Sequence, residues 1–269
     1  MGIETKYKNL KENIQKLKKI AVAYSGGLDS TFLLKVCRDV LGADNVIAVS
    51  AKTDLQAKRE NEGSAEFIER EKISHYAIEF DDYFNLACFR ENPPDRCYYC
   101  KKEIFLKIID LADKKGFSIV ADGTNADDIK DYRPGGRAIK ELNVKSPLLE
   151  AGLTKDEIRA LSKRLGLHNH DRPSPACLAT RFPCGTAITP ERIEMVNAAE
   201  NCLFDMGFEQ FRVRYHGEVA RIEVSGEEIR RFFDFEFMQE IASKIKEAGF
   251  LYVSLDLNGY KMGGMNEKI

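Results

Sequence analysis

The sequence has little of what marks membrane, fibrous or nucleic-acid-coating proteins. No apolar run approaches the roughly 18–20 residues that a helix needs to cross a bilayer, so no partner membrane is expected. The first twenty residues, MGIETKYKNLKENIQKLKKI, read as a Lys-rich amphipathic helix without the apolar centre of an export signal. A cytoplasmic protein is the expectation. Charge of one sign is not in excess: Lys and Arg number 41 against 43 Asp and Glu, a net charge of −2. That balance argues against nucleic acid as a partner, although a local basic patch would be averaged away. With 8 Pro, 19 Gly and 43% hydrophobic residues, collagen-like, low-complexity and wholly disordered chains are excluded. A length of 269 residues fits one large domain, or one medium and one small.

What is present begins with seven cysteines, Cys37, Cys88, Cys97, Cys100, Cys177, Cys184 and Cys202. An odd number without an export signal speaks against a disulfide scaffold and for metal, cluster or catalysis. Cys37 in TFLLKVC and Cys202 in AAENCLF read as small core or helix residues. Cys97 and Cys100 form a CxxC pair.

In the first half, strand candidates at Lys19–Tyr24, Asn45–Ser50, Ser74–Phe80 and Ser118–Asp122 alternate with helical segments from Ser30, over Asp54–Lys72 and over Lys101–Lys115. Such alternation predicts an α/β fold, a parallel sheet with helices on both faces. Thr154–Leu165 predicts a short helix with Thr154 and Glu157 as a capping box, closed by Gly166. After Arg172–Pro183 the pattern changes. A helix over Pro190–Met206, paired strands at Gln210–Tyr215 and Glu218–Val224, a helix over Phe235–Ala248 and a strand at Phe250–Leu257 suggest a smaller α/β unit. The expected domains are 1–185 and 186–269.

The most informative segment is Ser25-Gly26-Gly27-Leu28-Asp29-Ser30, directly after a strand and directly before a helix. Adjacent glycines let backbone approach an anion, and the helix's first-turn N–H groups and dipole favour negative charge there. Ser25 and Ser30 can donate hydroxyl hydrogen bonds, and Asp29 can help hold Mg²⁺ on phosphates. The plain alternative is an ordinary Gly turn. No GxxxxGK followed by Ser or Thr occurs, so this is not a Walker A loop. The loop resembles the PP-loop of ATP pyrophosphatases, which cleave ATP between the α- and β-phosphates. The resemblance implies ATP and Mg²⁺ as cofactors, with ATP on Ala23, Ser25, Gly26, Gly27, Asp29, Ser30, Ser50, Gly123 and Thr124. Adenine would lie beside Val49–Ala51, and Mg²⁺ would rest on Asp29 and Asp128. The segment Asp122–Asp128 ends the fourth strand, where open α/β sheets bind ligands. Each of its aspartates reads equally as a turn or helix-cap residue.

Adenylation turns a carboxylate or amide oxygen into a good leaving group, AMP. An ammonia-using enzyme would also need a glutamine-hydrolysing domain or partner, for which 269 residues leave little room. A sulfur-using enzyme needs a thiolate. If a helix starts at Asp95-Arg96-Cys97-Tyr98-Tyr99-Cys100-Lys101-Lys102, the i,i+3 spacing puts both sulfurs on one face, near three cations and a helix N-terminus. Cys177 stands in PSPACLATR, a rigid irregular loop. Three thiolates can hold a 4Fe–4S cluster with one iron open to an outside ligand. Zinc, with His168, His170 or Cys184 as the fourth ligand, a redox pair, and simple buried thiols are the alternatives.

Beyond the loop, DYRPGGRAIKELNVKSPLLEAGLTKDEIR, PACLATRFPCGTAIT and FRVRYHGEVARIEV together resemble the LarE-type sulfur transferases, over essentially the whole chain. Those enzymes act in assembly of the nickel-pincer nucleotide cofactor. The resemblance implies that a pyridinium biscarboxylic acid mononucleotide, a small-molecule nucleotide, is adenylated on its carboxylate and converted to thiocarboxylate. Sulfur comes in one of two ways: a single cysteine near Cys177 is sacrificed to dehydroalanine, or three cysteines hold a 4Fe–4S cluster carrying extra sulfide. Cys97 and Cys100 beside Cys177 favour the cluster form, fed by a sulfide donor. Cys177, Asp29 and Arg181 are the expected catalytic residues. Cys184 stands where the family often has Tyr, and its role is open. Arg212 and Arg214 alternate on a likely strand and so share a face. By the family's pattern they take the substrate phosphate, with Lys101. The competing reading is a solvated strand face paired with Glu218 and Glu223. Phe232–Phe237 suggests packing or a subunit interface, and a homo-oligomer is expected. A tRNA thiolase and a non-catalytic ATP-binding module remain as other functions.

Overall fold

The computed structural model describes residues 1–55, 63–80, 84, 86–129, 134–171, 177–261 and 264–265, with backbone alone at 87, 88 and 129. By its contacts the chain divides into two compact units. The first takes in described residues of Met1–Thr53, Lys58–Asp81 and Asp95–Pro175, and the second those of Asp54–Ala57, Asp82–Pro94 and Ala176–Ile269. Cys177–Gly185 falls in the second unit, where Leu178 N–H donates to Leu55 O and Gly185 N–H to Asn92 O.

In the first unit, helix α1 (Ile3–Leu17) leads to strand β1 (Ile20–Ala23), helix α2 (Leu28–Leu41), strand β2 (Val46–Lys52), helix α3 (Ser64–Glu71) and strand β3 (Ser74–Glu79). The short helix α4 (Ala87–Arg90) belongs to the second unit. Helix α5 (Arg96–Lys114), strand β4 (Val120–Ala121) and helices α6 (Gly135–Glu141), α7 (Pro147–Glu150) and α8 (Lys155–Arg164) complete the first unit. The four strands form one parallel sheet in the order β3-β2-β1-β4. Strand β1, the first half of β2 and β4 are apolar and buried on both faces, as a sheet covered on both sides requires, whereas the edge strand β3 is mostly exposed. Ile20 and Val22 of β1 join a core with α1, α2 and α8, while Ala21 joins another with Phe105, Ile108 and Ala112 of α5.

The expected helix over Asp54–Lys72 is found in its second half. The chain turns at Asp54 and Leu55, 56–62 lie outside the described residues, and Ser64–Glu71 is helical, preceded by Gly63 with φ 83°. The fourth strand is shorter than expected, because beyond Ala121 the Asp122 N–H donates to Lys145 O, outside the ladder with β1. Thr154 and Glu157 form the capping box of α8 as expected.

The second unit adds helix α9 (Pro190–Asp205), strands β5 (Phe211–His216) and β6 (Val219–Val224), helix α10 (Phe235–Glu247) and strand β7 (Tyr252–Leu255). Its sheet runs β5-β6-β7, antiparallel between β5 and β6 and parallel between β6 and β7. A 3-10 turn at Leu178–Arg181 packs on α9 and β5. Among the described residues, no helix is long and apolar enough to cross a membrane.

Candidate active site

In the first unit β2 flanks β1 on one side and β4 on the other, so the strand order reverses between β1 and β4. That topological switch point is where open parallel sheets leave a crevice for ligands. Ser25–Ser30 follows β1 and Asp122–Asp128 follows β4, so the fold brings together the two segments singled out in the sequence. A Cβ added at Gly123 would lie 3.0 Å from Ser30 N and 3.2 Å from Asp29 Cβ. Glycine is what allows this approach.

The loop is pre-formed. Gly26 has φ 75°, a conformation that favours glycine, and Gly27 caps α2. Ser25 Oγ and Ser30 Oγ share a hydrogen bond of 3.1 Å, and Ser30 Oγ donates to Gly27 O at 3.1 Å. Ala23 ends β1 opposite Val49, and the next residue, Tyr24, donates its N–H to Val49 O. Ser50 Oγ is 2.8 Å from His75 Nε2 across the β2–β3 pair.

Asp29, in the first turn of α2, pairs with Lys155 Nζ. Among the described residues its buried Oδ1 has no hydrogen-bond partner. Burial raises the carboxyl above its ordinary range, Lys155 opposes this, and Asp128 adds a further upward push. Asp29 and Asp128 are thus electrostatic neighbours. Asp128 Oδ2 accepts from Asn125 N–H at 3.0 Å. Asp122 is buried and accepts from Ser146 Oγ at 2.7 Å and from Thr124 Oγ1.

Cys97 and Cys100 occupy the first turn of α5; Cys97 is exposed and Cys100 half-buried. The cations expected around them part company. Arg96 is buried with Nη2 3.7 Å from Cys97 Sγ, whereas Lys102 pairs with Glu141 and Lys101 points its ammonium to Asp122, 3.8 Å away. Lys101 therefore reaches toward the β4 end. Gly135 leaves room for the stem of Lys101, since a Cβ there would lie 2.8 Å from Lys101 Cδ.

In the second unit Cys177 is half-buried and precedes the 3-10 turn. Arg181 is fully buried: Nε and Nη2 donate to Glu200 at 2.8 and 3.0 Å, and Nη1 to Cys177 O and Thr180 Oγ1. Arg212 and Arg214 share a face of β5, as alternation requires. Arg214 pairs with Glu223 at 2.7 Å and donates to Thr180 O. Glu223, not Glu218, is thus the carboxylate on this face, and it also binds Arg221. Among the described residues no carboxylate lies within ion-pair distance of Arg212. Burial first, and then the charge of Arg181, depress Arg212 below the usual guanidinium range. An anion at Arg212 would relieve that. Cys184 is exposed, with Sγ 3.4 Å from Asn92 O. Cys37 is buried among apolar side chains and Cys202 half-buried, both in helices, as read from the sequence. His168 packs on Gly63 and Phe67. His170 Nδ1 is 3.8 Å from Asp171.

Sequence reasoning did not find Lys155, Glu200 or Asn169. Two carried a signal. Lys155 is a cation in the first turn of α8, where the helix dipole favours anions. Glu200 interrupts the apolar stripe Ile193, Val196, Ala199, Leu203 of α9, so a charge had to be buried there.

A glycine-rich anion turn at the switch point of a parallel sheet, with carboxylates and a lysine around it, defines a PP-loop ATP pyrophosphatase. Comparison with known proteins agrees: the family model for NAD synthase matches residues 3–93. The chain is 37% identical over 267 residues to a pyridinium-3,5-bisthiocarboxylic acid mononucleotide synthase of Lactiplantibacillus plantarum, covering 99% of this chain and 96% of that one. It is 39% identical to an uncharacterized protein of Synechocystis sp., with 98% of both chains covered. One subunit of the glutamine-hydrolyzing GMP synthase of Thermoplasma volcanium is 29% identical over 67% of this chain and 61% of its own. The chain belongs to the LarE-type family of ATP-dependent sulfurtransferases.

Proposed function

We propose that the protein uses ATP to adenylate a carboxylate of a pyridinium biscarboxylic acid mononucleotide and then replaces its oxygen by sulfur. The observation that carries this reading is the meeting of the Ser25–Ser30 turn with Asp29, Asp128 and Lys155 at the switch point. Likeness to the L. plantarum synthase along the whole chain supports the substrate class. The loop N–H groups and the start of α2 hold the pyrophosphate of ATP, with Ala23, Ser50, Gly123 and Thr124 around the nucleotide. The orphaned, buried Oδ1 of Asp29 and the carboxylate of Asp128 suit a hard cation, so these two would hold Mg²⁺. A substrate carboxylate oxygen attacks the α-phosphorus, and the bond to the bridging oxygen breaks as pyrophosphate leaves. A sulfur nucleophile then attacks the acyl carbon and AMP departs. Arg212 and Arg214, with Lys101, take the substrate phosphate. Arg181 fixes the backbone at Cys177 by holding its carbonyl.

Among the described residues no group of three or more His, Cys, Asp or Glu is gathered to hold a metal ion; the cysteines we assign to a cluster are Cys97 and Cys100, accessible and one helical turn apart, with Cys177 as the third. Those residues would hold a 4Fe–4S cluster, which when bound supplies a replaceable sulfur and calls for a sulfide donor. The first unit carries the ATP chemistry, and the second serves substrate and assembly. Phe233, Phe235 and Leu257 are exposed apolar side chains of the second unit that suit a homo-oligomer, and a cytoplasmic setting fits an oxygen-labile centre.

The test is pyrophosphate release from ATP with and without the biscarboxylate nucleotide. Release that needs the nucleotide, and stops in Asp29→Asn, is the expected result. ATP binding without such release would identify a binding module. Salt-sensitive tRNA binding with tRNA-dependent release would identify a tRNA thiolase.

A further inference from the structure

The Gly26–Gly27 peptide has no side chain at either end to hold its plane. In a planar trans peptide the Gly26 carbonyl and the Gly27 N–H point in opposite directions. Rotating the plane by half a turn would exchange an N–H donor for a carbonyl oxygen at the mouth of the loop, and two glycines make that rotation cheap. A pyrophosphate would then meet a negative dipole. Something must fix the plane, and it comes from far along the chain. Asn169, 3% exposed, donates from Nδ2 to Gly26 O at 3.1 Å and to Thr31 Oγ1 at 3.1 Å. Thr31 Oγ1 donates to the same carbonyl at 3.4 Å. Since Gly26 O can only accept, the amide of Asn169 must turn its nitrogen there; its buried Oδ1 has no hydrogen-bond partner among the described residues. On the opposite edge of the plane Gly27 N–H faces Ser25 Oγ at 3.4 Å, a long contact that a phosphate oxygen would replace.

We propose that Asn169 is a positioning residue that latches the Gly26–Gly27 peptide with its N–H presented to the pyrophosphate. This deepens, and rests on, the reading that Ser25–Ser30 holds the pyrophosphate of ATP. A latch of this kind acts on phosphate recognition and leaves the nucleoside site alone.

The experiment is calorimetric titration of the full chain with inorganic pyrophosphate, ATP and adenosine. Asn169→Asp keeps the volume and removes both donors; Thr31→Val removes the second hydrogen bond to Gly26 O. For Asn169→Asp, pyrophosphate and ATP should bind about tenfold more weakly, the worth of about one hydrogen bond, with adenosine unchanged. Thr31→Val should show a smaller loss in the same two ligands. A wild-type chain that binds ATP and no pyrophosphate would overturn the loop reading itself. Pyrophosphate bound equally by wild type and Asn169→Asp would overturn the latch and leave the loop reading intact. A parallel loss of adenosine, or failure of both variants to fold, would make Asn169 a general packing residue and likewise overturn it.

Discussion

Glu200 is a carboxylate with no exposure to water, and one guanidinium keeps it charged. Burial pushes its pKa up, but the charge and two hydrogen bonds of Arg181, aided by Val213 N–H, hold it below the ordinary carboxylate value. A depressed folded-state pKa gives stability that is present above the unfolded value near about 4.3 and is lost as pH falls through the folded one. Acid titration of stability should therefore fall less steeply below about pH 4 in Glu200→Gln than in the wild type. Glu200→Ala should lose about 3–5 kcal/mol in denaturant unfolding at neutral pH, because it leaves Arg181 buried and uncompensated. A loss under 1 kcal/mol, of the kind expected of an exposed pair, would mean that the pair is not buried in solution. Asp29 is the opposite case. Burial raises its pKa, so its contribution is full below the unfolded value and is lost as pH rises through the folded one. At neutral pH its ionised form is a local cost, the mark of a group kept for chemistry and not for stability.

At the scale of elements, the close approach of β4 to the start of α2 depends on one missing methyl group. Gly123→Ala should force the two apart by a few tenths of an ångström and destabilise by about 1–3 kcal/mol. Its ATP affinity should fall along with its unfolding midpoint; unchanged affinity in an ATP titration would disconnect this contact from the site. The cap of α8 makes a second case. Thr154→Ala should lower stability by about 1 kcal/mol and raise the ATP KM, because the next residue is Lys155, whose ammonium reaches Asp29. Thr154→Ser should restore both. The strands, the anion turn and this capping box were legible because each is written locally, in runs such as KIAVAY and TKDE. The early end of β4 and the turn at Asp54 and Leu55 were not, since Lys145 decides the one and no apolar pattern marks the other. Asn169 is harder still: its bond to Gly26 spans 143 positions and joins no periodicity.

For the molecule as a whole, the source of sulfur sets the stoichiometry. Cys97 and Cys100 stood out in the sequence because i,i+3 spacing is a property of one helix. Cys177 belongs to the other compact unit, and no local rule links it to them. Its chemistry therefore decides between two routes with different stoichiometry. If the three sulfurs hold a cluster, anaerobically reconstituted protein should contain iron and absorb broadly near 400 nm, roughly as such clusters do. Replacement of any one of the three by Ala should remove that band, and the chain mass should be unchanged after many turnovers. If Cys177 is consumed instead, each chain should act once and become lighter by about 34 Da, the loss of H₂S from cysteine. Stoichiometric zinc without iron after reconstitution would refute the cluster outright. Intact-mass spectrometry before and after turnover, on the same sample assayed for iron, separates the routes because a replaceable sulfur leaves the polypeptide whole and a sacrificed side chain does not.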